Sequence, residues 1–236
     1  MNPTTRQSSR ILGGLAALAL AASAFGGCVV TPEETSWNDV GTFGWPAQIG
    51  ATMHYKVASR TMPQDTAVTA EVRAGKAEYE GMYRLETINN KGETPGVSLQ
   101  VHFRPTADTL FVENSLKHEN GLSARYALVA PLERGRTWVA DYQTTADDAR
   151  TPSMIATVVE RYSYWKLEGR GYENVVAVKY VPVSQGGERQ EWIRFYAKGI
   201  GLILTVKNRY PISSYPTGAP PEEEDRIVLT ETSVVH

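Results

Sequence analysis

From about residue 46 onward the chain is written in short alternations of apolar and polar side chains, and helical periods are scarce. In residues 66–74, TAVTAEVRA, Val68, Ala70 and Val72 fall on one side and Thr69, Glu71 and Arg73 on the other. That two-residue period is the mark of a half-buried strand. Residues 97–105, VSLQVHFRP, repeat it, with Val97, Leu99, Val101 and Phe103 opposed to Ser98, Gln100, His102 and Arg104. Further strand-like segments begin at Met53, Met82, Asp108, Thr137, Met154, Asn174, Glu191, Leu202 and Arg226. Gly, Pro, Asn and Asp separate many of them, as hairpin connections between antiparallel strands require. The sharpest reversal is KGIG at residues 198–201, where glycines supply positive φ between two apolar runs. Only the stretch from Asn114 to Ala130 has a mixed pattern that admits a helix. Residues 211–225, PISSYPTGAPPEEED, read as a proline-rich acidic loop before the last strand, with EEED a solvated turn.

The pattern predicts a mainly β domain over residues 46–236 with about 10–12 antiparallel strands and little helix. A weak internal echo divides it at residue 130: Pro46, Gly50 and Thr52 align with Pro131, Gly135 and Thr137. The echo fits either a duplication, with halves 46–129 and 130–236, or a Pro and Gly punctuation shared by chance.

The N-terminus is built differently. Residues 1–10 are polar, with Arg6 and Arg10 and no acid; residues 11–25, ILGGLAALALAASAF, are apolar; Gly26 and Gly27 follow. A positive segment, a short apolar segment and a small-residue zone make up a secretory signal peptide, here residues 1–27. The next residue, Cys28, is the only cysteine, so no disulfide joins two parts of this chain. AFGGC at residues 24–28 resembles the lipobox of bacterial lipoproteins, departing from it at Phe25, where an aliphatic residue is usual. The resemblance implies cleavage after Gly27, acylation of Cys28 with palmitate-type chains, and anchoring in a membrane. Val29 in place of an aspartate implies the outer membrane, the protein facing the periplasm or the cell surface. Residues 28–45 then read as the lipidated N-terminus and a tether.

A second resemblance rests on residues 130–204. PLERGRTW and the later YAKGIGLI are similar to turn-and-strand motifs of bacterial envelope proteins with the curved sheet of the LolA/LolB-like fold. It implies one strongly curved sheet, half-barrel or barrel-like, and carries over no catalytic or lipid-handling residue.

Composition is that of a globular protein, 42% hydrophobic and 21% charged. Without residues 1–27, 22 basic residues face 26 acidic ones, a formal charge of −4, which speaks against nucleic acid as a partner. His54, His102, His118 and His236 have no zinc-like spacing and read as surface residues, so neither a metal nor another cofactor is expected. Asp147 and Asp148 are adjacent, which on a strand points them to opposite faces. SQGGERQ at residues 184–190 lacks the ending of a phosphate loop and reads as a turn. No Gly-x-Ser-x-Gly elbow occurs, and no enzyme activity is expected.

The aromatic residues are the remaining candidates. Trp138, Trp165, Trp192 and Tyr196 either line a cavity for an apolar ligand or fill the core. Trp192, Arg194 and Tyr196 alternate with Ile193, Phe195 and Ala197, so the first three are expected as a surface stripe over an apolar inner face. The sequence thus points to a membrane-anchored envelope lipoprotein with a non-enzymatic role, binding an apolar ligand or a lipidated partner in its curved sheet. The alternative is a scaffold for another envelope protein, joined through a sheet edge or the acidic C-terminal loop.

Overall fold

The alternating segments fold into one antiparallel sheet in the computed structural model, which describes residues 37–59, 66–74, 83–89, 100–114, 126–144, 150–183, 189–210 and 222–233. Its twelve strands are β1 (Thr52–Ser59), β2 (Thr66–Ala74), β3 (Tyr83–Asn89), β4 (Gln100–Pro105), β5 (Thr109–Asn114), β6 (Tyr126–Val129), β7 (Thr137–Thr144), β8 (Arg150–Leu167), β9 (Arg170–Pro182), β10 (Arg189–Ala197), β11 (Gly201–Tyr210) and β12 (Glu222–Thr232). Among the described residues the alternating segments coincide with these strands; residues 97–99 and 82 lie outside the described residues. The stretch that admits a helix supplies β6 instead, where Ala127 and Leu128 are both buried; residues 115–125 lie outside the described residues. The acidic run also differs from expectation. Its residues open β12, where Asp225 faces Lys207 of β11 across a 3.6 Å ion pair.

Across the sheet the order is β6-β5-β4-β3-β2-β1-β12-β11-β10-β9-β8-β7. Two meanders meet where β1 pairs with β12, which leaves β6 and β7, consecutive in sequence, as the outer strands. Those edges approach each other again. Trp138 Nε1 on β7 donates to the carbonyl of Tyr126 on β6 at 2.8 Å, and the Tyr180 hydroxyl on β9 donates to the carbonyl of Ala127 at 2.5 Å. The sheet is therefore nearly closed and barrel-like, as expected. Register shifts at His54/Tyr55, Val158/Glu160 and Phe195/Tyr196, among others, bend the strands and raise their twist, which closure needs.

The inward positions follow from the alternation. Val68, Ala70 and Val72 of β2 are buried, as are Met53 and Tyr55 of β1, Leu85 of β3 and Phe103 of β4. His102, expected on the exposed side of β4, is instead only 4% exposed. It sits across from Arg84 of β3, beside the Arg84–Glu86 ion pair of 2.9 Å, so the long charged side chains of that face cover it.

One end of the barrel is filled by the chain that precedes β1. A 3-10 turn at Val40–Phe43 holds Val40 and Phe43 fully buried, and Trp45 follows at 4% exposure. Its backbone is tied to three connections at that end: Val40 N donates to Ala107 O at 2.7 Å, Gly199 N to Thr42 O at 2.5 Å and Leu132 N to Trp37 O at 3.3 Å. Residues 37–45 therefore form a plug within the β domain, where the sequence reads as a tether. Three apolar side chains in an irregular turn share neither helical nor strand period, so the alternation could not reveal them.

The echoed segments form two turns of one construction. Gly50, at φ 88°, donates to Val72 O, and Val72 N donates to Ala51 O; Gly135, at φ 85°, donates to Val158 O, and Val158 N donates to Arg136 O. Both turns start a strand at the plugged end.

Candidate functional site

The antiparallel ladders align inward side chains in rows that run across the strands. One row passes from Val158 of β8 through Val178 of β9, Arg194 of β10, Thr205 of β11 and Ile227 of β12 to Val57 of β1. The next row away from the plug carries Trp138, Ala156, Tyr180, Trp192, Lys207 and Asp225. Tyr196 lies on the same face of β10, one row nearer the plug.

Three of the four aromatic candidates are thus brought to one inward surface. Trp192 is 9% exposed and Tyr196 fully buried, so the expected surface stripe of β10 is turned inward. The opposite face of β10 carries Phe195, whose ring stacks on Trp165 at 4.6 Å and 5°, with Tyr162 adding a second stack at 6.0 Å. Trp165, the fourth candidate, therefore stands apart from the other three. Both faces of β10 are covered, and the more apolar one is not the one that faces the interior. Cys28 and Gly27 lie outside the described residues.

The inward aromatics are held by their polar tips. The Tyr180 hydroxyl has one proton, which goes to Ala127 O, so in the 3.1 Å contact with the Tyr196 hydroxyl it is Tyr196 that donates. Toward the plug, Trp45 Nε1 donates to the Tyr55 hydroxyl at 3.1 Å, and Tyr55 donates to Leu202 O at 3.3 Å. Burial pushes Tyr55 and Tyr180 above the ordinary phenol value, because the phenolate would be stripped of water. Stability from these two groups is complete below pH 10, where the unfolded tyrosines hold their protons, and is lost as pH rises above it, since only the unfolded chain then releases them. The urea midpoint is accordingly expected to hold between pH 8 and about 9.5 and to fall above about 10, with a shallower fall in Tyr180→Phe. An alkaline limb identical in the variant would contradict this.

The polar residues on or near this surface are Arg194, Thr205, Lys207, Asp225 and Asp141. Lys207 is paired with Asp225, and Asp141 Oδ1 accepts from the amide of Tyr142 at 2.8 Å. The Arg194 guanidinium lies over the Tyr180 ring, 5.4 Å from its centroid. Its Nε is buried and, among the described residues, has no hydrogen-bond partner. Elsewhere, His54 Nδ1 lies 2.9 Å from the Thr69 hydroxyl, and Glu191 Oε1 accepts from Asn208 Nδ2 at 3.3 Å. Among the described residues no group of three or more His, Cys, Asp or Glu side chains is placed to hold a metal ion, and no helix is long and apolar enough to cross a membrane.

No family model matches the chain, and no curated protein matches it. Among solved structures it is similar to a protein of Bacteroides fragilis provisionally assigned as exported, with a YMCC-like fold, at 13% identity and TM-score 0.46, covering 82% of this chain and 100% of that one. It is also similar to a provisionally assigned lipoprotein of Parabacteroides distasonis, at 12% identity and TM-score 0.43, covering 81% and 99%. A third is a domain of Vibrio parahaemolyticus provisionally assigned to outer membrane lipoprotein sorting, at 9% identity and TM-score 0.22, covering 80% and 85%.

Proposed function

We propose that this chain is an exported envelope lipoprotein with a non-enzymatic binding role. Cleavage after Gly27 and acylation of Cys28 anchor it in the outer membrane, and the barrel-like sheet takes up an apolar ligand or the lipid of a lipidated partner. The address rests on the signal-peptide layout and on AFGGC. The binding role rests on the inward surface of β8 to β12. There Trp192, Tyr180 and a run of valines share the barrel interior with polar groups, at the end away from the chain's own plug. Apolar walls with a few placed polar groups are the usual make-up of a small-molecule site.

The test uses the full chain, expressed in a Gram-negative host and purified from membranes. Mass spectrometry is expected to show the acyl mass on Cys28 and a non-covalent lipid that leaves on extraction, after which a fluorescent fatty acid is taken up. Cys28→Ser is expected to lose the acyl mass and the membrane attachment while still taking up the probe. Unchanged attachment and mass in Cys28→Ser would overturn the address. A chain that carries no lipid and takes up no probe would overturn the binding role. Crosslinking to a single envelope protein in such a chain would favour the scaffold reading, for which the outermost strand β7 offers an edge of eight residues.

A further inference from the structure

The two inward rows of β8 to β12 differ in how their cations are balanced. In the row farther from the plug, Lys207 has Asp225 at 3.6 Å. In the row beneath it, Arg194 stands between Val178 and Thr205, and among the described residues it has no carboxylate within ion-pair distance. Among the described residues its close partner is the face of the Tyr180 ring. A ring face meets the plane of a guanidinium and not its N–H groups, and among the described residues the buried Nε of this part-buried side chain has no hydrogen-bond partner. A charge facing the interior of a protein is costly unless an opposite charge or hydrogen-bond acceptors accompany it.

Everything else in that row is apolar except the Thr205 hydroxyl directly across from Arg194. Val158 and Val178 flank it on one side, Ile227 and Val57 on the other. A planar fork of donors on a strand whose neighbour carries a hydroxyl at the paired position, in an otherwise aliphatic row, matches an oxyanion attached to a hydrocarbon.

We infer that Arg194 is the anchor for the oxyanion head, carboxylate or phosphate, of an amphiphile whose tail lies along the aliphatic inner wall. The inference rests on the proposal that the interior binds an apolar ligand, and it adds the head-group class. Thr205 supplies a second hydrogen bond to the head. Lys207, one row farther from the plug, is neutralised by Asp225, so Arg194 is the cation left for the head.

The full-length acylated chain in nanodiscs of zwitterionic lipid is titrated with decanoate, decanol and inorganic phosphate. The saturable change in tryptophan fluorescence is followed after subtraction of empty nanodiscs, with Trp192 next to the site as reporter. Decanoate is expected to bind at least about tenfold more tightly than decanol, and Arg194→Gln to erase that preference while leaving decanol unchanged. Arg194→Lys, which keeps the charge and loses the fork, is expected to retain part of it, so the test survives a Gln variant that folds poorly. In the ligand-free protein Arg194→Met is expected to raise Tm by about 2 °C or more, because an unpaired charge is removed.

Equal affinity for decanoate and decanol would overturn the head-group inference and leave the apolar-ligand reading standing. Phosphate binding through Arg194 with no gain from the ten-carbon chain would uphold the anion site and overturn the apolar-ligand reading. Binding of none of the three would overturn both. A lower Tm in Arg194→Met would also count against the inference, since it would make Arg194 a structural partner of Tyr180.

Discussion

Phe43→Ala is expected to lower the unfolding free energy by about 3–5 kcal/mol, the range for removing a fully buried aromatic side chain. Phe43 has no exposed surface, and its ring stacks against Trp37 at 5.5 Å. Next in the plug, Trp45 packs on Phe103 of β4, the ring centroids 5.4 Å apart. Collapse around the cavity is restricted because the turn is tied by backbone hydrogen bonds to the β4–β5, β6–β7 and β10–β11 connections. Urea denaturation followed by tryptophan fluorescence measures the loss, and red-shifted emission of the folded variant would report water reaching Trp37 and Trp45. A change below about 1 kcal/mol, as for a surface substitution, would show that residues 37–45 are a tether after all.

Gly201→Ala is expected to cost about 2–4 kcal/mol, from a left-handed backbone and a steric overlap together. Gly201 has φ 94°, and a Cβ there would meet Trp45 N and Cα at 3.0 Å and Gly44 O at 3.1 Å. These are backbone atoms of the plug, which cannot rotate away as a flexible side chain would. Gly135 is the internal control: its φ is 85°, and nothing lies within 4 Å of its Cβ position. Gly135→Ala is therefore expected to cost only the conformational part, about 1–2 kcal/mol. Chemical denaturation of both variants separates the contributions, and equal losses would mean that the plug does not press against Gly201.

Strand positions were highly legible. The alternations in TAVTAEVRA and TWVADYQT coincide with β2 and β7 residue for residue, and KGIG supplies the turn between β10 and β11. The missed strand, β6, is four residues long and reads YALV, an unbroken apolar run after a mixed stretch, so it has no alternation to mark it. The candidate site was legible in part. Trp192, Arg194 and Tyr196 were recognisable as one face of one strand, because side chains alternate whatever the sheet does. Which face points inward was not. Ile193, Phe195 and Ala197 are the more apolar set, yet they take the face opposite Tyr196, where Phe195 is covered by the Trp165 stack. The polar tips of Tyr196 and Tyr180 are tolerated inside because each finds a hydrogen-bond partner there. Thr205, Lys207 and Asp225 carry no local signal, since their proximity to Arg194 arises only from the register of three strands.

By itself the sequence determined the strand segments and many of the turns between them, and it carries the signal-like N-terminal pattern with its lone Cys28 on which the proposed address rests; all of these depend on neighbours along the chain. The tertiary structure decided what depends on neighbours across it. Pairing of β1 with β12 and the return of β6 toward β7 made the sheet barrel-like, and so gave it an inside. That closure chose the buried face of β10, drew residues 37–45 in as a plug, and set Arg194 between Val178 and Thr205 with its guanidinium over the Tyr180 ring. The reason is physical: alternation specifies that two faces differ, whereas burial is a property of what the completed barrel encloses.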